Sequence, residues 1–156
     1  MSELIRLLEG KDTPQIHRIE RLCFSDPWSE ESISHDLEEN VLSRWLGIFD
    51  DSGRLIAYGG IWLVINEGHI LNIAVDPEFQ GNGYGKRIMN ALIELARENG
   101  LNILFLEVRR SNLRAQKLYL GAGFMKAGYR KQYYEDNRED ALIMIMNLDP
   151  PENEDE

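Results

Sequence analysis

The sequence predicts an α+β fold, in which helices cover both faces of a mixed β-sheet in three layers. Two observations carry this prediction. The first half of the chain alternates short apolar runs with turn residues, which is typical of a meander of strands. Residues 70–108 then have the pattern of a strand, a glycine-rich loop, a helix and another strand. The length of 156 residues suits a single domain, which we expect over residues 1–148, followed by an acidic, disordered tail at 149–156.

Seven segments carry the strand pattern of aliphatic, β-branched and aromatic residues. They are Leu4–Leu8, Trp45–Phe49, Arg54–Ile65, His69–Val75, Ile103–Val108, Phe124–Tyr134 and Ala141–Leu148. Turn residues at 51–53, 66–68 and 135–138 separate neighbouring segments and predict hairpins.

Four segments place apolar residues at helical spacing. Asp12 and Ser29 are expected to cap the first two helices at their N-termini. The third helix has a buried stripe and stops at Gly100, and the fourth spans Asn112–Leu120. The stripe of the third helix consists of Ile88, Met89, Leu92, Leu95 and Ala96.

The formal net charge of −10 argues against a nucleic-acid backbone as the main partner, since such binding needs clustered Lys and Arg. An acidic surface could attract a basic peptide, although general solubility is the commoner reason for such a charge. Cys23 is the only cysteine, which excludes an internal disulfide and fits a reducing cytoplasm. The sequence has neither a signal-peptide pattern nor an apolar run long enough to span a membrane, so we expect a cytoplasmic protein.

The most informative motif is a glycine-rich loop that precedes the third helix. Glycines at 81, 83 and 85 let the backbone approach a ligand, and the helix N-terminus offers unpaired N–H groups to a diphosphate. The spacing fits neither the P-loop nor the dinucleotide fingerprint, which argues against a nucleotide-phosphate enzyme. A glycine-rich turn without a ligand remains the alternative on this pattern alone.

The run Gln80–Gly85 matches the Gln/Arg-x-x-Gly-x-Gly/Ala signature and thus resembles the Gcn5-related N-acetyltransferases (GNAT). Residues 69–75, 106–112 and 115–124 are similar to one subfamily, the bacterial ribosomal-protein alanine N-acetyltransferases. Residues 23–29 and 140–144 resemble that subfamily too. The resemblance implies a mostly antiparallel, seven-stranded sheet and acetyl-CoA as the co-substrate. It also implies acetylation of the N-terminal alanine of protein eighteen of the small ribosomal subunit.

By resemblance, the main chain of Ile73, Ala74 and Val75 would pair with the pantetheine arm of acetyl-CoA. The pyrophosphate would lie on the loop and first helical turn formed by Gln80, Gly81, Asn82, Gly83, Tyr84, Gly85 and Lys86. Asn112 and Tyr119 would face the thiol end of the cofactor.

Transfer to an amine needs a base for the amine and an acid for the departing thiolate. Glu107 is expected to be the base, because it follows Ile103 and Phe105 on one strand face and stands where the subfamily keeps its base. Burial there would raise its pKa, although a solvated strand end fits the pattern equally well. Tyr119, two turns after Asn112, is the expected acid, with a core tyrosine as the alternative. The acetyl group would move directly within a ternary complex.

The acceptor site is expected from Trp28, Glu67, Tyr133 and Tyr134, whose aromatic rings would form a narrow slot. Aromatic residues in such positions also commonly serve packing. His69 fits an ordinary strand histidine, with a position near the substrate as the alternative. No histidine has metal-ligand spacing, so no metal is expected.

Arg109 and its neighbour Arg110 fit either a contact with the cofactor phosphate or exposure to solvent. Two other functions remain open at this point. One is acetylation of another amine, such as a lysine, a different N-terminus or a polyamine, and the other is a non-catalytic acyl-CoA-binding regulatory module.

Overall fold

The computed structural model describes residues 3–148, and the acidic tail expected at 149–156 lies outside them. The described residues form seven strands and four α-helices, which confirms the mixed α/β class. The strands are β1 (Leu4–Leu7), β2 (Ser43–Phe49), β3 (Leu55–Val64), β4 (Glu67–Val75), β5 (Ile103–Arg109), β6 (Met125–Arg130) and β7 (Ala141–Asn147). The helices are α1 (Thr13–Cys23), α2 (Glu30–Glu38), α3 (Tyr84–Glu98) and α4 (Leu113–Ala122). None of the helices within residues 3–148 is long and apolar enough to cross a membrane.

The strands follow the order β1-β2-β3-β4-β5-β7-β6 in one sheet. β1 with β2, β2 with β3, β5 with β7 and β6 with β7 pair antiparallel, and β4 with β5 pairs parallel. The expected mostly antiparallel sheet is therefore confirmed. In the parallel pair, His69 lies opposite Phe105, a register that decides which side chains meet across these strands. The edge strand β6 has an irregular register between Lys126 and Gly128.

The chain divides into two compact units, and the expectation of a single domain stays a prediction. The first unit comprises the residues up to 62 together with Ile70–Ile93, and the second comprises Leu63–His69 together with the residues from 94 onward.

The core of the first unit packs α1 and α2 against the strands. Its buried members are Leu8, Ile16, Ile19, Ile33, Trp45, Phe49, Leu55, Tyr58 and Ala74. α3 approaches β3 closely at Gly59, where a Cβ atom would lie 2.6 Å from the Ile88 side chain. The absence of a side chain at Gly59 therefore lets the helix that follows the glycine-rich loop pack directly on the strand.

In the second unit, β5 separates a buried face from a half-buried one. Leu104, Leu106 and Val108 are buried, while the alternate residues are half-buried. Because strand side chains alternate, Phe105, Glu107 and Arg109 share the half-buried face. The expected position of Glu107 beside Phe105 is confirmed.

The structure corrects one of the two expected helix caps. Ser29 caps α2, accepting a hydrogen bond from the Ser32 N–H at 3.1 Å. Asp12 precedes α1 but makes no side-chain cap. Both of its carboxylate oxygens instead bind the Arg6 guanidinium at 2.9 Å, because a bidentate ion pair is stronger than a single cap bond.

Two strand boundaries were also wrong. The turn expected at 66–68 lies at 65–66, so Glu67 and Gly68 belong to β4 and pair with β5. β6 ends at Arg130 rather than at Tyr134, so both Tyr133 and Tyr134 lie in a loop spanning 131–140. Aromatic residues favour strands, but here contacts with Arg109 on β5 override that preference.

Candidate active site

The glycine-rich loop of the first unit joins β4 to α3. Gly81 and Gly83 both have a φ of +86°, a left-handed conformation that glycine adopts without strain. A Cβ atom at either position would meet no atom within 4 Å, so the conformation rather than a lack of space calls for glycine. The Gln80 side chain fixes the start of the loop by donating to the Val75 carbonyl at 3.1 Å.

The N-terminus of α3 follows this loop directly. The first turn holds Tyr84, Gly85 and Lys86, and the Arg87 N–H donates to the Gly83 carbonyl at 3.1 Å. The N–H groups before Arg87 have no preceding helical turn to accept their hydrogen bonds, and the positive end of the helix dipole lies there. This arrangement suits an anionic group such as a pyrophosphate.

The positive charge of Arg87 at the start of α3 is paired within the first unit. The Arg87 guanidinium pairs with Glu3 at 2.5 Å, and the Tyr84 hydroxyl donates to the same carboxylate. The hydrogen bonds from Arg87 and Tyr84 lower the pKa of Glu3. Lys86 is exposed on the same turn. Asn82 donates to the Phe79 carbonyl at 3.0 Å and so shapes the loop.

The second unit contains an acid–base pair that the sequence did not predict. The Glu107 side chain is only 8% exposed, and its Oε1 lies 2.7 Å from Nε2 of His69. The His69 ring stacks on Phe105, with ring centroids 4.6 Å apart. Arg130 from β6 places its Nε 3.4 Å from Oε2 of Glu107. Glu107 therefore faces two basic groups within one half-buried patch.

The pKa of Glu107 is lowered, which corrects the expectation that burial would raise it. Desolvation is the largest single influence and acts upward on this pKa, as expected. The hydrogen bond from His69 and the charges of His69 and Arg130 together outweigh it. Glu107 is consequently an ionised carboxylate at neutral pH, able to accept a proton.

Tyr119 lies on α4 and is 7% exposed, packed edge-on against Phe124 at 6.0 Å. Burial raises the pKa of its phenol to about 12, so the hydroxyl stays protonated at neutral pH. Asn112 caps α4 by accepting from the Ala115 N–H at 3.1 Å, which confirms the cap-like role expected of it. Gln116 fixes the same helix to β5 through hydrogen bonds to the Arg109 and Arg110 carbonyls.

The four expected acceptor residues fall in different places. Tyr133 and Tyr134 pack edge-to-face at 5.0 Å in the loop of the second unit. Burial raises the pKa of both phenols, and the charge of Glu107 adds to this in each case. Glu67 is exposed at the start of β4 in the same unit. Trp28 belongs to the first unit, where it packs edge-on against Trp45 at 5.5 Å.

Sequence reasoning missed the contacts of Glu107 with His69 and Arg130, because neither basic residue belongs to a local motif. The signal that could have found His69 is its strand: pairing it in parallel with the strand of Glu107 brings the two side chains to one face. Within residues 3–148, no group of three or more His, Cys, Asp or Glu side chains is arranged to hold a metal ion.

Comparison with known proteins identifies a family for this architecture. Residues 13–124 match the acetyltransferase (GNAT) family. A ribosomal protein bS18-alanine N-acetyltransferase of Escherichia coli (strain K12) is 37% identical over 146 residues, covering 92% of this chain and 97% of that protein. A protein of Bacillus subtilis (strain 168) that carries this name provisionally is 39% identical over 144 residues, covering 92% and 95%.

Solved structures give the same result. The crystal structure of the ribosomal-protein-S18-alanine N-acetyltransferase from Escherichia coli has a TM-score of 0.87 at 34% identity, covering 97% of this chain and 98% of that one. The PaiA N-acetyltransferase from Thermoplasma acidophilum, solved in complex with coenzyme A, has a TM-score of 0.78 at 21% identity, covering 95% and 100%. The second likeness concerns the fold alone.

Proposed function

Because the chain belongs to the acetyltransferase (GNAT) family, we propose that it moves the acetyl group of acetyl-CoA to the N-terminal alanine of ribosomal protein bS18. The observation that carries this proposal is the similarity to bS18-alanine N-acetyltransferases, which extends along nearly the whole chain. A ribosomal substrate implies a cytoplasmic enzyme, and a net charge of −10 would favour a basic acceptor peptide.

Acetyl-CoA would supply a reactive thioester, and the first unit has features that fit its phosphates. The left-handed glycines of the loop and the N–H groups at the start of α3 favour a pyrophosphate on residues 80–86. The main chain of Ile73, Ala74 and Val75, at the end of β4, would bind the pantetheine arm. Asn112 and Tyr119 would serve the thiol end.

Glu107 is the general base in this proposal. An N-terminal amine has a pKa of about 7.7–8.0, so a useful fraction is neutral at physiological pH. Its nitrogen becomes strongly acidic as it bonds to the acetyl carbon, so even a carboxylate with a lowered pKa can take the proton. His69 holds Glu107 by a 2.7 Å hydrogen bond and keeps it ionised before the amine arrives.

Tyr119 is the general acid. A pKa of about 12 keeps its hydroxyl protonated and ready to donate toward the departing sulfur. Because that high pKa makes complete loss of the proton costly, the donated hydrogen bond itself would stabilise much of the negative charge developing on sulfur. The transfer is direct, without an acyl-enzyme.

Release of coenzyme A from acetyl-CoA tests the acceptor. Three acceptors would be compared: a peptide with the bS18 N-terminus and a free alanine amine, the same peptide with that amine blocked and a lysine free, and spermidine. We expect release only with the free alanine peptide, and mass spectrometry should find the acetyl group on its α-amine.

Release with the blocked peptide or with spermidine would move the acceptor to another amine. If the protein binds acetyl-CoA but releases no coenzyme A with any of the three acceptors, a regulatory module would be favoured over an enzyme. The variant Glu107→Gln controls for uncatalysed hydrolysis of the thioester, since it retains the loop that binds the cofactor.

A further inference from the structure

The loop between β6 and β7 is held by one arginine on the strand that carries Glu107. The Arg109 guanidinium lies over the Tyr134 ring, 4.1 Å from its centroid. It also bonds Asp136 at 2.8 Å and Asn137 at 3.2 Å, and pairs with Glu139 at 3.4 Å. Only 22% of the Arg109 side chain is exposed, and its charge is paired with carboxylates of the loop. Arg109 is therefore not a freely solvated residue.

The loop needs such a restraint because its backbone is unusual. Gln132 and Arg138 have φ values of 51° and 61°, in the left-handed region that residues other than glycine rarely adopt. Conformations of this kind are strained and persist only where surrounding contacts fix them. The Ser111 N–H adds a further contact by donating to Glu139 at 2.6 Å.

The position of Arg109 connects this restraint to the acid–base pair. Arg109 and Glu107 are two residues apart and share one face of β5. The charge of Glu107 contributes to the raised pKa of both Tyr133 and Tyr134, so the restrained aromatic pair lies within electrostatic reach of that carboxylate. A loop held in this way would present its tyrosines at a fixed place beside Glu107.

We propose that Arg109 is a positioning residue, which fixes the Tyr134 loop as a rigid wall of the acceptor site. The inference rests on the proposed function, because the wall is useful only if a peptide terminus enters beside Glu107. This restraint acts on binding of the acceptor peptide. A released loop weakens peptide binding and leaves the reaction rate of bound substrates unchanged.

Arg109→Met removes the charge and keeps the length of the side chain. Asp136→Asn weakens the same contact from the loop and leaves β5 intact. Arg110→Met is the matched control. Arg110 is the next residue and 63% exposed, and it meets the loop only at its last residue, Asp140, at a long 3.4 Å, besides the Tyr129 ring of β6 at 5.0 Å.

Two readouts separate the restraint from its function. Limited trypsin digestion at Lys131 and Arg138 reports loop release without any substrate. Steady-state kinetics with the bS18 N-terminal peptide report the acceptor site. We expect Arg109→Met to speed cleavage in the loop and to raise the peptide KM about tenfold, with kcat and the acetyl-CoA KM within about twofold of wild type. Asp136→Asn should show the same pattern more weakly, and Arg110→Met should match wild type.

Cleavage at the wild-type rate in both Arg109→Met and Asp136→Asn would overturn the restraint. Faster cleavage with an unchanged peptide KM, or a fall in kcat as large as the rise in KM, would overturn the positioning role. If wild-type enzyme acetylates no N-terminal amine, the proposed function fails, and the digestion still decides whether Arg109 restrains the loop.

Discussion

Two buried glutamates, one in each unit, have opposite surroundings. Glu20 on α1 is 0% exposed and accepts hydrogen bonds from the Tyr58 hydroxyl at 2.5 Å and the Asn72 amide at 2.9 Å. A third bond comes from the backbone N–H of Trp28 at 2.9 Å. All three donors are neutral groups of the first unit.

Glu107 is nearly as buried, but its partners are the ionisable side chains of His69 and Arg130. Neutral donors fix the position of a carboxylate, whereas the basic partners of Glu107 also lower its pKa. The chemistry of the partners, more than burial, therefore separates a carboxylate that holds structure together from one suited to catalysis.

The largest test of this contrast is Glu107→Gln. Loss of the base should lower kcat by a factor of about 10² to 10⁴, the usual contribution of general base catalysis. Stability at neutral pH should fall only by the contribution of the ionised carboxylate, and acetyl-CoA binding should change little. Steady-state kinetics and a thermal melt with and without acetyl-CoA would measure both. A variant with wild-type kcat would remove Glu107 from the reaction.

Tyr119→Phe extends the test to the acid. The variant should keep cofactor affinity and lose turnover by about 10²-fold, since only the donated hydrogen bond disappears. Packing against Phe124 should survive, because the ring is retained. Single-turnover rates measured at saturating substrate concentrations test this loss. A rate close to that of wild type would indicate that Tyr119 is a core residue and not the acid.

Glu20→Gln should show the reverse pattern to Glu107→Gln. The new amide group would face donors it cannot satisfy, which costs about 1–3 kcal/mol of unfolding free energy. Urea denaturation measures this loss, and kcat measured well below the melting temperature should stay close to wild type. A stable Glu20→Gln with low kcat would contradict the division between the two glutamates.

The smallest effect concerns pH. His69 lowers the pKa of Glu107 against desolvation, so His69→Ala should raise that pKa. In wild type, kcat/KM should rise between about pH 6 and 8 as the acceptor amine loses its proton. In His69→Ala, protonation of Glu107 should add to this loss and steepen the profile at its acidic end. His69→Gln keeps a hydrogen-bond donor and is the control. Identical profiles for Ala and wild type would show that the pair does not set the protonation of Glu107.

The pH dependence of the unfolding free energy should follow from the same lowered pKa. Because the pKa of Glu107 is lowered on folding, its contribution is fully present above the unfolded value near 4.5 and is lost as pH falls through the folded value. The acid sensitivity of unfolding should therefore be smaller in Glu107→Gln than in wild type.

Features set by local chemistry were predictable from sequence. Gly81 and Gly83 need a left-handed backbone, and Ser29 and Asn112 cap the helices that follow them. The resemblance pointed to Glu107 and Tyr119, whose roles stay predictions. Features set by pairing between distant segments were not predictable. His69 is 38 residues from Glu107, and only the parallel register of β4 and β5 brings them together.

The prediction of a strand through Tyr133 and Tyr134 was wrong for a related reason. Two adjacent aromatic residues after a strand favour its continuation, and nothing local signals that Arg109 on another strand draws the segment out of the sheet. The predicted direction of the Glu107 pKa shift was wrong for the same reason. An alternation of apolar residues indicates burial, but it does not indicate basic partners that come from other strands.

The irregular register of β6 has a consequence for self-association. An edge strand offers unpaired N–H and C=O groups to a strand of another molecule, and this can seed aggregation. The irregularity between Lys126 and Gly128 interrupts that row, and the exposed charges of Lys126 and Arg130 disfavour burial against a second chain. Arg130 thus protects the edge while it contacts Glu107, and a neutral residue there would affect solubility as well as the protonation of the site.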